Sequence, residues 1–131
     1  MKDLLYDHFQ DGVGELLVRH KSILDVLTKF QESQSRVNRA VVKAVTTCGC
    51  IEINSKKQKY SDETSLQDLK NYMDNHLSGK LCDNCRDVIE KELGNNLFYV
   101  AALCNLLDIS MYDVLLKEYE KINTLGIYNM Y

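Results

Sequence analysis

Residues 82–107 read CDNCRDVIEKELGNNLFYVAALCNLL. In this stretch Ile89, Leu93, Leu97, Val100, Ala101, Cys104 and Leu107 recur at intervals that suit a helix with one apolar face. Asp83 and Asp87 fall in its first turns, where carboxylates complement the positive end of the helix dipole. The pattern predicts one long helix starting near Cys82. Cys104 lies within the apolar stripe, so its expected role is core packing.

Outward from this helix the reading stays helical. Towards the C-terminus, Asp108-Ile109 connects to a further helix capped by Ser110, with Asp113 three residues on and Met111, Val114, Leu115 and Ile122 as its inner face. Tyr128 and Tyr131 form an aromatic tail after Gly126. Towards the N-terminus, Ser78-Gly79 ends a helix predicted over 65–77, with Leu66, Leu69, Tyr72, Met73, His76 and Leu77 on one face and a Ser65/Asp68 cap. Residues 51–63 read as a loop carrying a short basic patch, Lys56-Lys57-Gln58-Lys59. Ile51-Glu52-Ile53 alternates like a strand but is short and has no evident partner.

Before that loop, Val37, Ala40, Val41, Ala44, Val45 and Cys48 make a helical stripe that should end at Gly49, where glycine tolerates a left-handed cap. Ser33-Gln34-Ser35 is expected to separate it from an earlier helix. The earlier helix begins near Glu15 and carries Leu16, Leu17, Ile23, Leu24, Leu27 and Phe30, with His20 on the same face. His20 and His76, on apolar faces, are expected to be satisfied core histidines. Residues 1–12 read as a lead-in. The expectation is an all-α bundle of about five helices in one domain spanning 1–131.

The composition agrees. The chain has 131 residues, 45% of them hydrophobic and 27% charged, and no proline to interrupt helices. A net charge of −3 argues against a dedicated nucleic-acid binder, which usually shows a basic excess. No apolar run approaches the roughly 18–20 residues of a membrane span, and the N-terminal residues have no signal core, so a cytoplasmic protein is expected. Cysteines in that compartment are reduced or metal-bound rather than paired.

Four of the five cysteines form two close pairs, Cys48-Gly49-Cys50 and Cys82-Asp83-Asn84-Cys85. A C-x-C pair on a turn and a C-x-x-C pair at a helix start can present four thiolates to one ion, and zinc accepts four sulfurs tetrahedrally. A helix N-terminus lowers thiol pKa and so helps Cys82 and Cys85 reach the thiolate form. Zinc is the favoured metal. An iron–sulfur cluster also accepts four thiolates, so the spacing leaves that alternative open, along with buried or redox-active thiols.

Glu92-Leu93-Gly94-Asn95-Asn96-Leu97-Phe98-Tyr99-Val100-Ala101-Ala102-Leu103 resembles the E-L-G-D-x-L-(F/W)-Y-x-A-x-L run of the MazG-type all-α nucleoside triphosphate pyrophosphohydrolases. Leu107-Asp108-Ile109-Ser110 resembles that family's connection to its last helix, and Val114-Leu115-Leu116-Lys117 and Lys121-Ile122-Asn123 resemble the end of that helix. The resemblance implies a helical bundle that assembles as dimers or tetramers and a magnesium-dependent site built on carboxylates. Transferred residue by residue, it reaches Glu92 and, at the position of the family's aspartate, Asn95. The stretch Val37-Asn38-Arg39-Ala40-Val41-Val42-Lys43-Ala44, where the family keeps further carboxylates, has none. Arg39 and Lys43 instead offer two cations, which contact phosphate but do not ligate magnesium.

Three functional readings follow. The first is a catalytically degenerate MazG-like protein with a four-cysteine metal site that binds a nucleotide or a partner. The second is an active pyrophosphohydrolase using Glu92, Asn95 and magnesium. The third is a redox or metal sensor.

Overall fold

The computed structural model describes residues 4–125, which are mostly helical. In chain order the elements are α1 (Leu5–Leu16), α2 (Ile23–Lys43), a single π-helical turn (Ala44–Cys48), β1 (Ile51–Ile53), α3 (Leu66–Tyr72), β2 (Leu77–Gly79), α4 (Asp83–Leu106) and α5 (Met111–Leu125). The two strands pair antiparallel, Ile51 opposite Gly79 and Ile53 opposite Leu77.

Helices α2 and α4 pack along each other and form the axis of the fold. One apolar cluster, built on Val13, Val26, Ala101, Ala102, Cys104 and Met111, joins α1, α2, α4 and the root of α5. The second, around Ala44, Ile51 and Ile89, lies at the opposite end of α2 and the start of α4, next to Cys50 and Cys85. Cys104 is buried in the first, as its place in the stripe implies.

The extent of the long helix α4 matches the reading of 82–107, but Leu93, Leu97 and Leu107 of its expected apolar stripe are exposed and the buried face is carried by Ile89, Ala101, Ala102 and Cys104. Cys82 is its N-cap. Ser110 accepts a hydrogen bond from the backbone of Asp113 (3.2 Å) at the start of α5. Ser65 likewise caps α3, accepting from Asp68 N (3.3 Å).

Several local expectations are corrected. Residues 1–12 are not merely a lead-in: α1 runs from Leu5, because Tyr6, Phe9, Val13 and Leu17 make a helical stripe of their own, and all four pack into the first cluster. Gln10 fixes this helix to the α4–α5 corner, donating to Ile109 O (2.7 Å) and accepting from Met111 N (2.8 Å).

The helix expected across 15–30 is broken instead at residues 17–22, where His20 has φ 57° and Ser22 caps α2. Conversely, Ser33-Gln34-Ser35 does not break α2. The Ser33 hydroxyl donates back to Phe30 O (2.6 Å) and accepts from Asn96 (3.0 Å) on α4, so the buried serine is satisfied inside the helix.

The helix expected over 65–77 stops at Tyr72. Asp74 and Asn75 side chains cap the backbone of His76 and Leu77 (3.0 and 2.9 Å), and Leu77 enters β2. That strand is the partner Ile51-Glu52-Ile53 lacked on paper, so residues 51–53 are strand rather than loop.

Neither histidine is a satisfied core residue. His20 is exposed, 3.7 Å from Asp25. His76 adopts φ 60°, and its Nε2 is buried with no hydrogen-bond partner among the described residues. Tyr128 and Tyr131 lie outside the described residues. Among the described residues no single helix is long and apolar enough to cross a membrane.

Candidate metal centre and adjoining cleft

The four paired cysteines converge at the second apolar cluster. The π turn carries Cys48, and Gly49 reverses the chain at φ 79°, its amide bonded to Ala44 O (2.9 Å). Cys50 follows and leads directly into β1. Pairing of β1 with β2 returns the chain, and residues 80–81 deliver Cys82 to the N-cap of α4. Cys85 sits in the first turn of α4. Three sites close in space thus carry the four thiols: the π turn that follows α2, the residue just before β1 and the start of α4.

The return is tight at Gly79. Its φ is 89°, and a Cβ built there would lie 2.5 Å from the carbonyl oxygen of Cys50. Only glycine fits that backbone without displacement.

The sulfur atoms of Cys48, Cys50, Cys82 and Cys85 all lie within 4.8 Å of one another, and they could hold a metal ion. The Cys48–Cys82 separation is 3.8 Å. A tetrahedron of sulfurs at the zinc–thiolate distance has edges of about 3.8 Å, so one ion fits the cluster with little rearrangement. A multi-iron cluster spreads its thiolates over several atoms and needs them farther apart; the compact set suits a single ion.

The protonation pattern is uneven. The backbone N–H of Cys85 donates to Cys82 Sγ (3.4 Å) and brings the Cys82 pKa down to about 7. The Cys85 thiol, donating to the sulfur of Cys82, holds its proton up to about 12. Cys82 is therefore the first ligand ready for a metal, and a metal must displace the proton of Cys85.

A cleft between α2 and α4 runs up to this centre. Its middle, 320 Å³, is lined by Arg36, Arg39, Lys43, Val88 and Glu92. Lys43 and Val88 also line the next recess, which reaches Cys48 and Cys85. On the other side a polar recess holds Glu32, Ser33, Arg36, Glu92, Asn95 and Tyr99. The expected site residues Arg39, Lys43 and Glu92 thus line one cavity, and Asn95 opens on the recess beside it.

Two neighbours escaped the sequence reading, Arg36 and Glu32. Arg36 Nε lies 3.1 Å from Glu92 Oε2, and Arg36 Nη1 lies 3.6 Å from Glu32 Oε1. The guanidinium therefore sits between two carboxylates on facing helices. The available signal was the spacing: Arg36, Arg39 and Lys43 fall at i, i+3 and i+7 on α2, and Glu32 precedes Arg36 by one turn. Reading Ser33-Gln34-Ser35 as a break removed Glu32 from that face.

No protein-family model, curated protein or solved structure matches the chain. The chemistry rests on the residues themselves.

Proposed function

We propose that the chain is a zinc-stapled, catalytically degenerate relative of the MazG-type fold, whose cleft between α2 and α4 holds the phosphates of a nucleotide without cleaving them. The observation that carries this reading is the Arg36–Glu92 ion pair. Magnesium-dependent hydrolysis needs carboxylate oxygens free to ligate the ion. Here the one carboxylate lining the middle of the cleft is held by a guanidinium, and Arg36, Arg39 and Lys43 outnumber it. Such a surface suits phosphate, which arginine grips with paired hydrogen bonds. The four-cysteine cluster supports a zinc ion in a structural role, closed by four sulfurs and without an open position for substrate.

The test uses the intact protein. Elemental analysis should find one zinc per chain. A panel of nucleoside triphosphates with magnesium or manganese should bind without releasing pyrophosphate, and Arg39→Ala should weaken the binding. Pyrophosphate release that Glu92→Ala abolishes overturns the reading. It would establish the second one, a magnesium-dependent pyrophosphohydrolase. That alternative draws on Glu32 and Glu92 facing each other across Arg36, two carboxylates that a divalent ion could bridge once the guanidinium swings away.

A further inference from the structure

The four thiols of the metal centre are not equivalent. Cys50 and Cys85 pack against the second apolar cluster, beside Ala44, Ile51 and Ile89. The Cys50 sulfur also lies 3.8 Å from Ala44 O. Cys48 and Cys82 form an outer pair. Cys48 is the one exposed thiol of the four, and its sulfur is 3.8 Å from that of Cys82. Cys48 opens on a recess of 310 Å³ lined also by Lys43, Thr47 and Asn84, a polar wall that admits a small polar reagent. Cys85 reaches the same recess but is half-buried.

Zinc has no redox chemistry of its own, but thiolate ligands do. Metal binding requires all four sulfurs deprotonated. In the loaded protein, access therefore selects the sulfur that an oxidant meets first, and that sulfur is Cys48. Closing a disulfide to Cys82 brings the two sulfurs from 3.8 Å to about 2.05 Å, a shift of about 0.9 Å for each. Cys48 ends the π turn before Gly49 and Cys82 caps α4, so the shift falls at helix ends, not within them.

We propose that Cys48 and Cys82 are a site of reversible oxidation by hydroperoxides, whose disulfide expels the zinc ion and takes over its tie between α2 and α4. The inference rests on the zinc reading above and goes beyond it, from a static staple to one that can be exchanged. The Cys48 thiolate attacks one oxygen of hydrogen peroxide; the O–O bond breaks, leaving a sulfenic acid on Cys48 and hydroxide. The Cys82 thiolate then attacks the Cys48 sulfur, forms the S–S bond and displaces a second hydroxide. The two sulfurs give up two electrons, the peroxide takes them, and two protons from solvent turn both hydroxides to water. Cys50 and Cys85 are left as two thiolates, too few for a closed four-coordinate site, and take protons from solvent once the ion has left. A dithiol restores the centre by exchange, becoming the disulfide in its place. The new bond joins residues 34 apart, one at the end of the π turn after α2 and one at the start of α4. The two helices thus stay joined when the ion leaves, whereas a Cys82–Cys85 bond, within one turn of α4, would free them.

The experiment adds hydrogen peroxide stepwise to the zinc-loaded full chain. Released zinc is read with a chromogenic chelator, free thiols are counted in denaturant and disulfides are mapped by peptide mass spectrometry. One zinc should leave for every two thiols lost of the five, the mapped bond should be Cys48–Cys82, and dithiothreitol with added zinc should reverse both changes. Because the bond closes a loop of 34 residues, oxidised protein should melt at least about 5 °C above reduced zinc-free protein. A chain isolated without zinc overturns the metal reading and this inference together. In a chain that holds zinc, three results overturn this inference alone: zinc retained through excess peroxide, a map showing Cys82–Cys85 or any other pairing, or oxidised protein that melts with the reduced zinc-free form.

Discussion

Replacing Gly79 by alanine tests the metal centre without touching a ligand. The residue has φ 89°, and the added Cβ would meet the Cys50 carbonyl oxygen at 2.5 Å and Ile51 Cα at 3.3 Å, both backbone atoms that cannot rotate away. Ordinary contact begins near 3.4 Å, so the two strands must part by about 0.9 Å, several times the tolerance of about 0.2 Å for a metal–ligand distance. The left-handed backbone adds strain of about 1–3 kcal/mol for a residue with a Cβ. Gly79 faces Ile51, the residue after one ligand, and lies three residues before another. Zinc affinity should therefore fall by about a hundredfold, as it does when groups supporting metal ligands are lost. The assay is competition for Zn²⁺ between the apo protein and a chromogenic chelator, with thermal melting of apo and loaded forms. Gly94→Ala supplies the control. The same methyl group enters open space in the interior of α4, where alanine should stabilise by about 0.5–1 kcal/mol and leave zinc affinity unchanged. A Gly79→Ala protein that holds zinc as tightly as the wild type refutes the placement of the strand pair behind the centre.

Three further outcomes are expected. Ser33→Ala removes the hydrogen-bond partner of the Asn96 amide at the α2–α4 interface and should cost about 1–2 kcal/mol in urea unfolding; an unchanged midpoint would mean the pair adds nothing. In apo protein Cys82 should be the first thiol alkylated by iodoacetamide, with a rate rising through about pH 7. Because its folded pKa lies below the ordinary thiol value of 9.0, the linked stability is present above about pH 9 and is lost as pH falls through about 7; peptide mapping that finds Cys85 modified first would contradict the assignment. Arg36→Gln unpairs the half-buried Glu92, so nucleotide affinity should drop about tenfold while manganese binding to the cleft, followed by calorimetry or electron spin resonance, should appear; unchanged behaviour on both counts would remove Arg36 from the cleft's chemistry.

The parts of the fold legible in the sequence were those set by local rules. The start of α4 at Cys82, the Ser65 and Ser110 caps and the left-handed Gly49 each depend on residues within a turn of one another. What misled were positions whose local signal is overruled from a distance. Ser33 reads as a helix breaker until Asn96, from α4, satisfies its hydroxyl. Ile51-Glu52-Ile53 reads as a loop because its partner strand lies beyond α3. The stripe of α1 is interrupted by Gly12 and Gly14, and Gly14 is accommodated where Asn105 from α4 passes within 3.2 Å of its Cβ position. The cysteine pairs were legible as ligands from spacing alone, yet their meeting depends on the strand pair, which spacing does not reveal.

The placement of that strand pair bears on how the centre and the cleft work together. α2 and α4 are tied at three levels along their length: by the Ser33–Asn96 hydrogen bond, by the Arg36–Glu92 ion pair and by the cysteines. The first two are single side-chain contacts, and a partly exposed ion pair of this kind contributes little by itself. The cysteine tie is different in kind, because a bound ion would fasten the π turn at the end of α2 to the first turn of α4 through four bonds. Lys43 immediately precedes that π turn, and Val88 lies one turn beyond Cys85. Both line the cleft and the recess that reaches the cysteines. Loss of the ion should then widen the cleft at its Lys43 end before it disturbs Arg36. Chelation should weaken phosphate binding through Lys43 and leave the Ser33–Asn96 end of the α2–α4 interface protected in amide hydrogen exchange. Equal loss of protection at both ends would mean that the two helices separate as a unit and that the metal holds the whole interface, not only the end where it binds.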